Sequence, residues 1–468
     1  MLHTPDSISE MTITKTSKLL PECIPVLIVG AGPIGLSLAI ELRLHGIEVV
    51  IIEKDLEIVD GHPKGRSNDL RTVEHYRRWG VSDKLRKFSW QPSNPKQRLV
   101  ITESLIQKPL GSFPLLYGRD AEESNDLAAE PSFSVPQPIT MKVFLVRKSA
   151  GIQQKGVEPI GQTLSFVVHA EGHRISDLIS SPAHDALGML FVLSPRVSSI
   201  ISIPGKDDWG YSITVPDGKT LTEEEILSVG QEILGAKTNL KIVSRSSYKI
   251  FTRVSELYQK GRLLIAGDAS HLCPPTGGHN MNVGIGDAVN LGWKLAAVLK
   301  GWGGQKLLES YDLERRPVGE LVSDAAMKNS YDLKEVAEIV EGLPSLEDAS
   351  EGERLRRGQL AYDLTYPEWN IVGVALDQRY DTSPVIVRDN QPSAPYDGIK
   401  IWPYATPGHR APHVWLPDGS PLLDHLGKEF TLLDVEAVEE NVQEILATAD
   451  RVGLLSKYQV TIHGVNHM

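Results

Sequence analysis

Apolar positions along the chain fall into two periods. Val26-Leu27-Ile28-Val29 and Val49-Val50-Ile51-Ile52 are short β-branched runs, the pattern of strands buried on both faces of a parallel sheet. Between them Leu36, Ala39, Ile40 and Leu44 recur at helical spacing up to Gly46, which predicts a helix closed by a glycine cap. Further on, Thr163–Val168, Met189–Leu193 and Ser198–Ile203 are β-rich and predict a mixed sheet. Glu223–Leu234 reads as an amphipathic helix, Gly284–Lys300 as an apolar one and Asp312–Asp332 as a longer charged one. The run Gly261–Ala266 predicts another strand, ending in Gly267-Asp268 and so placing a carboxylate at a strand's carboxyl end, where ligands of α/β sheets collect. Pro392, Pro395 and Pro403 mark a linker to a final segment, and no internal repeat is visible.

The first strand runs into Gly30-Ala31-Gly32-Pro33-Ile34-Gly35, a G-x-G-x-x-G spacing. The three glycines serve different physical needs, namely a tight turn, close approach of backbone to a pyrophosphate, and close packing of helix on strand. Pro33 stands at the first helical turn, where its missing N–H costs nothing. Glu53 ends the second strand at the place where an acid accepts ribose hydroxyls. Strand, helix, second strand and acid in this order predict a dinucleotide site, and an acid there admits either the adenosine end of FAD or NAD.

Composition narrows the class. With 468 residues, 41% hydrophobic and 23% charged, the chain can bury the core of a multidomain soluble enzyme. A net charge of -12 argues against a polyanionic partner, so no nucleic acid is expected; the basic cluster Arg77, Arg78, Lys84, Arg86 and Lys87 reads as a solvated helix face. Only Cys23 and Cys273 are present, which excludes a disulfide framework and a cysteine zinc site and points to a reducing, cytoplasmic setting. No signal peptide is expected in residues 1–22, and the uncharged stretch from Ile24 is broken by Pro25, Gly30, Gly32 and Pro33, so no membrane span is expected. His409 and His413 flank Pro412 in a turn-rich stretch, which argues against a metal-binding helical face, and no metal site is expected elsewhere.

After Gly267-Asp268 comes Ala269-Ser270-His271-Leu272-Cys273-Pro274-Pro275-Thr276-Gly277-Gly278-His279-Asn280-Met281-Asn282. Its prolines stiffen the loop, its glycines let backbone amides face a ligand, and the amides of Asn280 to Asn282 are predicted just ahead of a helix N-terminus, an anion site. Together these blocks resemble the class A FAD-dependent aromatic hydroxylases of the para-hydroxybenzoate hydroxylase and phenol hydroxylase type. The resemblance implies that Gly30, Gly32, Gly35 and Glu53, with Pro33 and Lys54 beside them, hold the ADP half of FAD. It implies that Asp268 contacts ribityl and that Pro275, Gly278, Asn280, Met281 and Asn282 face the pyrimidine edge of the flavin. The segment His62–Arg66 and Asp69–Glu74 is similar to the stretch that runs beside the flavin, with Lys64 where arginine is common and assigned to a flavin phosphate. The block Pro407–Leu416 resembles the start of the thioredoxin-like domain of the phenol hydroxylase branch, without cysteines and so without redox chemistry of its own.

The family's middle Asp-Gly motif is not found. Gln137–Leu145 looks like the strand that leads toward it, and Val146–Ile152 like the helix that follows it, so the join skips a strand-helix-strand unit of roughly 30 residues. Such a loss is expected to expose ladder groups and apolar faces of the FAD sheet.

The expected fold is α/β: a tail at 1–22, a Rossmann-like FAD-binding domain over 23–145 and 256–390, an inserted mixed-sheet substrate domain over 146–255, and a thioredoxin-like domain, incomplete, over 396–468. The expected activity is NADPH- or NADH-dependent hydroxylation of a phenolic or polyketide-like aromatic substrate with dioxygen, in secondary metabolism or aromatic degradation. A homodimer is the assembly to test. Trp209, Tyr211 and Tyr248 belong either to a core or to the substrate pocket, and His271 is either a general base or a structural member of the flavin loop; no catalytic base is assigned. Two rivals are a truncated, inactive relative that only binds or oligomerises, and an FAD oxidoreductase that does not hydroxylate.

Overall fold

The parallel pair Val26–Val29 (β1) and Val49–Ile52 (β2) forms where expected, with Pro33–Leu44 (α1) crossing between the strands. The computed structural model describes residues 23–53, 67–86, 98–114, 127–129, 133–134, 152–170, 187–193, 198–202, 208–343, 349–370, 372–389, 392–402, 404–428, 430–435, 439–451 and 459–462. The tail at 1–22, Lys54, Lys64 and the join at 137–151 lie outside the described residues.

In chain order the further helices are Leu70–Arg78 (α2), Ser82–Arg86 (α3), Glu223–Leu234 (α4), His279–Leu299 (α5), Gln305–Glu341 (α6), Glu351–Trp369 (α7), Val372–Leu376 (α8) and Glu439–Arg451 (α9). The strands of the second sheet are Arg98–Thr102 (β3), Gly111–Pro114 (β4), Gly161–Ala170 (β5), Leu187–Val192 (β6), Ser198–Ser202 (β7), Asp208–Val215 (β8) and Leu240–Ile250 (β9). They line up as β9-β5-β8-β7-β6-β3-β4, antiparallel throughout except for the parallel β3–β6 pair, so the sheet is mixed as expected. β3 and β4 come from the segment expected to belong to the FAD-binding part, so chain-distant strands complete this sheet, which local pattern alone does not show.

Helix α4 covers one face. Leu164, Phe166, Val168, Tyr211 and Ile213 pack against Ile226, Val229 and Ile233, and the Tyr211 hydroxyl donates to the Ile226 carbonyl at 2.8 Å. Thr222 and Glu225 form the reciprocal cap that starts this helix, and Gly235 at φ 80° ends it. The opposite face meets α6 and α7, with Leu99, Ile101 and Leu110 against Val336, Ala361, Tyr362 and Trp369.

Among the described residues, the core that the two-stranded β1–β2 sheet joins lies on one side of it. Ile28 joins Ala39, Leu42 and Ala296 in a core under α1 and α5. On the other side Leu27, Val29 and Ile52 are 45%, 38% and 40% exposed. Parallel sheets of doubly wound proteins carry helices on both faces, whereas the apolar residues on this side are the more exposed ones.

Two expectations are corrected in the closing segment. Of Gly261–Ala266 only Leu263–Leu264 is a strand, in a hairpin with Gln259–Lys260 and not beside β1, because a strand forms only where a ladder partner stands. Asp268 accordingly sits in a single 3-10 turn, Gly267–Ala269. The helix predicted from Gly284 begins five residues earlier, at His279, because Gly277 and Gly278 take φ values of 81° and 68° and break the chain there. Toward the C-terminus, Leu432–Val435 and Gln459–Ile462 pair in parallel on either side of α9, a βαβ unit.

The uneven covering of β1 generates a paired expectation. Leu42→Ala, in the filled core, lowers unfolding stability by about 2–5 kcal/mol in chemical denaturation, whereas Leu27→Thr, on the open face, changes it by less than about 1 kcal/mol.

Candidate active site

Ile34, in the first turn of α1, is the point where the two glycine motifs meet. A Cβ on Gly267 would lie 2.7 Å from Ile34 Cγ1, and one on Gly284 2.6 Å from its Cδ1 and 3.1 Å from Gly267 Cα. Glycine at these positions lets the first turn of α1, the Gly267-Asp268 turn and α5 touch backbone to side chain. Gly35 is required in the same way, since a Cβ there would lie 2.0 Å from the Gly30 carbonyl oxygen.

Neither helix start in this cluster is capped. Gly32 precedes α1 and Gly278 precedes α5, and neither offers a side chain to the orphan N–H groups that follow. Two uncapped N-termini facing glycine turns fit the phosphates and the polar edge of a flavin dinucleotide. Asn280 and Met281 lie inside the first turn of α5, where their amides still lack intrahelical acceptors. Glu53 follows β2 and accepts the Ala31 N–H at 2.8 Å through Oε2, so it braces the glycine turn as well as standing where ribose hydroxyls would reach. A carboxylate can accept several hydrogen bonds, so the two roles are compatible.

The loop between the motifs is held from three sides. Thr276 donates to the Ala326 carbonyl of α6 at 2.6 Å. Asn282 donates to the carbonyls of Ser67 and Gly278 and accepts the Asp69 N–H at 3.1 Å, tying α5 to the start of α2. Asp69 caps α2 through Thr72, and burial pushes its carboxyl up to about 6. The segment expected beside the flavin is thus brought to the loop at Ser67–Asp69.

Beneath the loop lies a buried charged network. Asp287 accepts from Arg315 Nε at 2.8 Å, from His271 Nε2 at 3.0 Å and from the Gly267 N–H at 3.0 Å. Burial alone would raise the Asp287 carboxyl, but the charges of Arg315 and His271 hold it below the usual carboxylate range. Asn280 donates through Nδ2 to Asp268 at 2.6 Å, which leaves its Oδ1 facing His271 Nδ1 at 3.0 Å. Both ring nitrogens of His271 therefore face acceptors and both must carry protons. Burial opposes this charge, yet Asp287 and Asn280 raise the imidazole above its ordinary value. Both ring nitrogens of His271 are thus engaged by partners within the protein, which favours a structural place in the loop.

Sequence reasoning misses Asp287 and Arg315. The readable signal is an acid on the apolar stripe Val283-Asp287-Leu291, each member four residues from the next and each buried. Trp209 and Tyr211 turn to the α4 side of the sheet and belong to the core. Tyr248 pairs with Thr163, whose side chains project to the opposite face. Arg77 and Arg78 of the basic cluster pair with Asp424 and Glu41. Among the described residues no group of His, Cys, Asp or Glu could hold a metal ion.

His279, the first residue of α5, is buried with Nε2 unpartnered, and burial drives its imidazole down to about 4. Its ordinary value is about 6.5, so the unfolded chain takes up the proton first as pH falls. His279 stability is complete above about pH 6.5 and is lost between there and pH 4, a change of about 3 kcal/mol. His279→Gln therefore flattens this acid limb when denaturation midpoints are compared across that window.

Comparison with known proteins agrees with this geometry. The family described as FAD binding domain matches residues 23–140 and 145–326, more than half of the chain. An FAD-dependent monooxygenase of Emericella nidulans is 29% identical over 87% of this chain and 78% of its own length. A rifampicin monooxygenase of Rhodococcus hoagii is 30% identical over 64% of this chain and 69% of its own length. The crystal structure of the flavin-dependent monooxygenase PieE with FAD and substrate superposes with a TM-score of 0.79, at 22% identity, over 94% of this chain and 90% of that one. The chain belongs to the FAD binding domain family of flavoproteins, the family of the FAD-dependent monooxygenases it resembles.

Proposed function

We propose that this chain is an FAD-dependent, NAD(P)H-using monooxygenase that hydroxylates a phenolic or polyketide-like aromatic substrate. The observation that carries the reading is the meeting at Ile34 of the glycine turn, the Gly267-Asp268 turn and the uncapped start of α5. In this reading Gly30, Gly32, Pro33, Gly35 and Glu53 hold the ADP half, Asp268 the ribityl chain, and the amides of Asn280 and Met281 the flavin's pyrimidine edge; Pro275, Gly278 and Asn282 shape that loop. FAD, when bound, supplies the redox chemistry that moves one oxygen atom of dioxygen to an electron-rich ring while NAD(P)H provides the electrons.

The protein's own part is to place the ring and keep water out. The pocket is assigned to the space between the Pro275–Gly278 loop and the Thr163–Tyr248 face of the mixed sheet, where polar side chains such as Thr163 and Tyr248 support a substrate with oxygen substituents on its ring. Relatives named as polyketide hydroxylases in Streptomyces halstedii and as phenol 2-monooxygenase in Pseudomonas support that substrate class. The C-terminal βαβ unit around α9 is assigned to an incomplete thioredoxin-like domain, and the scarcity of cysteine supports a cytoplasmic location. Among the described residues no helix is long and apolar enough to cross a membrane.

One observation favours a rival. The open face at Leu27, Val29 and Ile52 suits a folded, flavin-free relative that acts only by binding. The readings part in one assay: the purified chain loaded with FAD, given NADPH and a panel of phenols and hydroxylated anthraquinones under isotopically labelled dioxygen. One labelled oxygen atom in a hydroxylated product is expected. A folded chain that takes up no FAD, or loaded protein that oxidises NADPH without ever labelling a product, contradicts the hydroxylase reading.

A further inference from the structure

One buried titratable group has no part in the flavin scaffold. Glu368, in the last turn of α7, is only 8% exposed, and its Oε2 has no hydrogen-bond partner. The carboxyl meets the backbone N–H of Gly277, inside the loop assigned to the flavin edge. On its other side stands Tyr248 of β9, whose hydroxyl is bonded to Thr163 of β5 and is pushed up to about 12 by burial, with the Glu368 charge adding to the effect. From α6 it faces Asp332, itself paired with Lys328 at 2.6 Å. No cation among the described residues acts on Glu368.

An oxygen buried without a partner is costly, and such a group in a native protein calls for a role that offsets the cost, a bound ligand among them. Burial pushes the Glu368 carboxyl up to about 8, with Gly277 opposing and Asp332 adding, so near neutral pH it is uncharged and can donate as well as accept. A carboxylate brought alongside would be a second acid beside Asp332 with no compensating cation, an expensive arrangement in a buried site.

We propose that Glu368 is the substrate-contacting residue of the pocket: its open oxygen exchanges a hydrogen bond with the uncharged oxygen of a phenol or aryl ketone and turns away aromatic carboxylates. This rests on the reading that the ring lies between the Pro275–Gly278 loop and the Tyr248 face. No proton is transferred in the contact; protonated Glu368 gives its O–H to a ketone oxygen, or receives the O–H of a phenol on its carbonyl oxygen.

Acetophenone and benzoate are a matched pair of probes, one neutral and one anionic, and acetophenone does not titrate. Their binding to the FAD-loaded enzyme is read from perturbation of the flavin absorption band. Wild type is expected to bind acetophenone at least about tenfold more tightly than benzoate near pH 7, and about tenfold more weakly near pH 9, where Glu368 has lost its proton. Glu368→Gln keeps a neutral donor and is expected to bind acetophenone well at both pH values. Glu368→Leu retains FAD but binds acetophenone about tenfold more weakly near pH 7. Infrared titration of the wild-type holoenzyme should show a protonated-carboxyl band that disappears near pH 8 and is absent from Glu368→Gln. Equal acetophenone affinity and pH profile in wild type and Glu368→Leu overturns the role of Glu368 while leaving the pocket in place. A fully loaded enzyme whose flavin band responds to neither probe overturns the pocket reading, and the proposal with it.

Discussion

Asp287 has no access to water, and the site above it depends on how its charge is compensated. Its two oxygens collect Arg315 from α6, His271 from the flavin loop and the backbone of Gly267, so one carboxylate joins α5, α6 and the Gly-Asp turn. Arg315 carries the connection outward to Gln378, Tyr380 and the Val283 carbonyl. Removing either partner would strand a charge in the interior at a cost of about 3–5 kcal/mol. From His271 the order passes to Asn280 and then to Asp268, because each group's donors and acceptors leave its neighbour one arrangement. The residue assigned to ribityl is therefore oriented through a fully buried carboxylate.

This arrangement explains how a flavin site stands beside an incompletely covered sheet. The backbone positions assigned to phosphate and flavin are helix starts and glycine turns, held by α5, α6 and Asp287. The open face of β1–β2, with Leu27, Val29 and Ile52 toward solvent, lies on the side away from Ile28 and Leu42, which pack under α1 and α5. Stability and site geometry are thereby separated: the exposed apolar residues of β1–β2 lie away from the glycine turns, which are held by contacts with α1 and α5.

Local features are legible in the sequence because local physics determines them. The Gly30–Gly35 turn, α1, β2, the amphipathic helix α4 and the β-rich strands all follow from spacing and side-chain period. Long-range partners are not. The run at 261–266 has the composition of a strand and lacks a neighbour to pair with, so only Leu263–Leu264 forms one. β3 and β4 reach the mixed sheet across a chain separation that no periodicity reveals. Asp287 and Glu368 look like ordinary helix acids until packing shows them buried, one fully compensated and the other with an open oxygen. For His271 the sequence leaves two roles open, since only the neighbouring acceptors decide its charge.

The central claim is that these turns and helix starts hold FAD although the sheet behind them is open on one side. Titration of the purified, folded chain with FAD, followed by dialysis and the visible spectrum of what remains bound, tests it directly. The account predicts an oxidised-flavin spectrum at about one FAD per chain, in line with a site built from preformed amides and glycine turns. A chain that is folded by circular dichroism yet retains no flavin and leaves the spectrum of added FAD unchanged would contradict it.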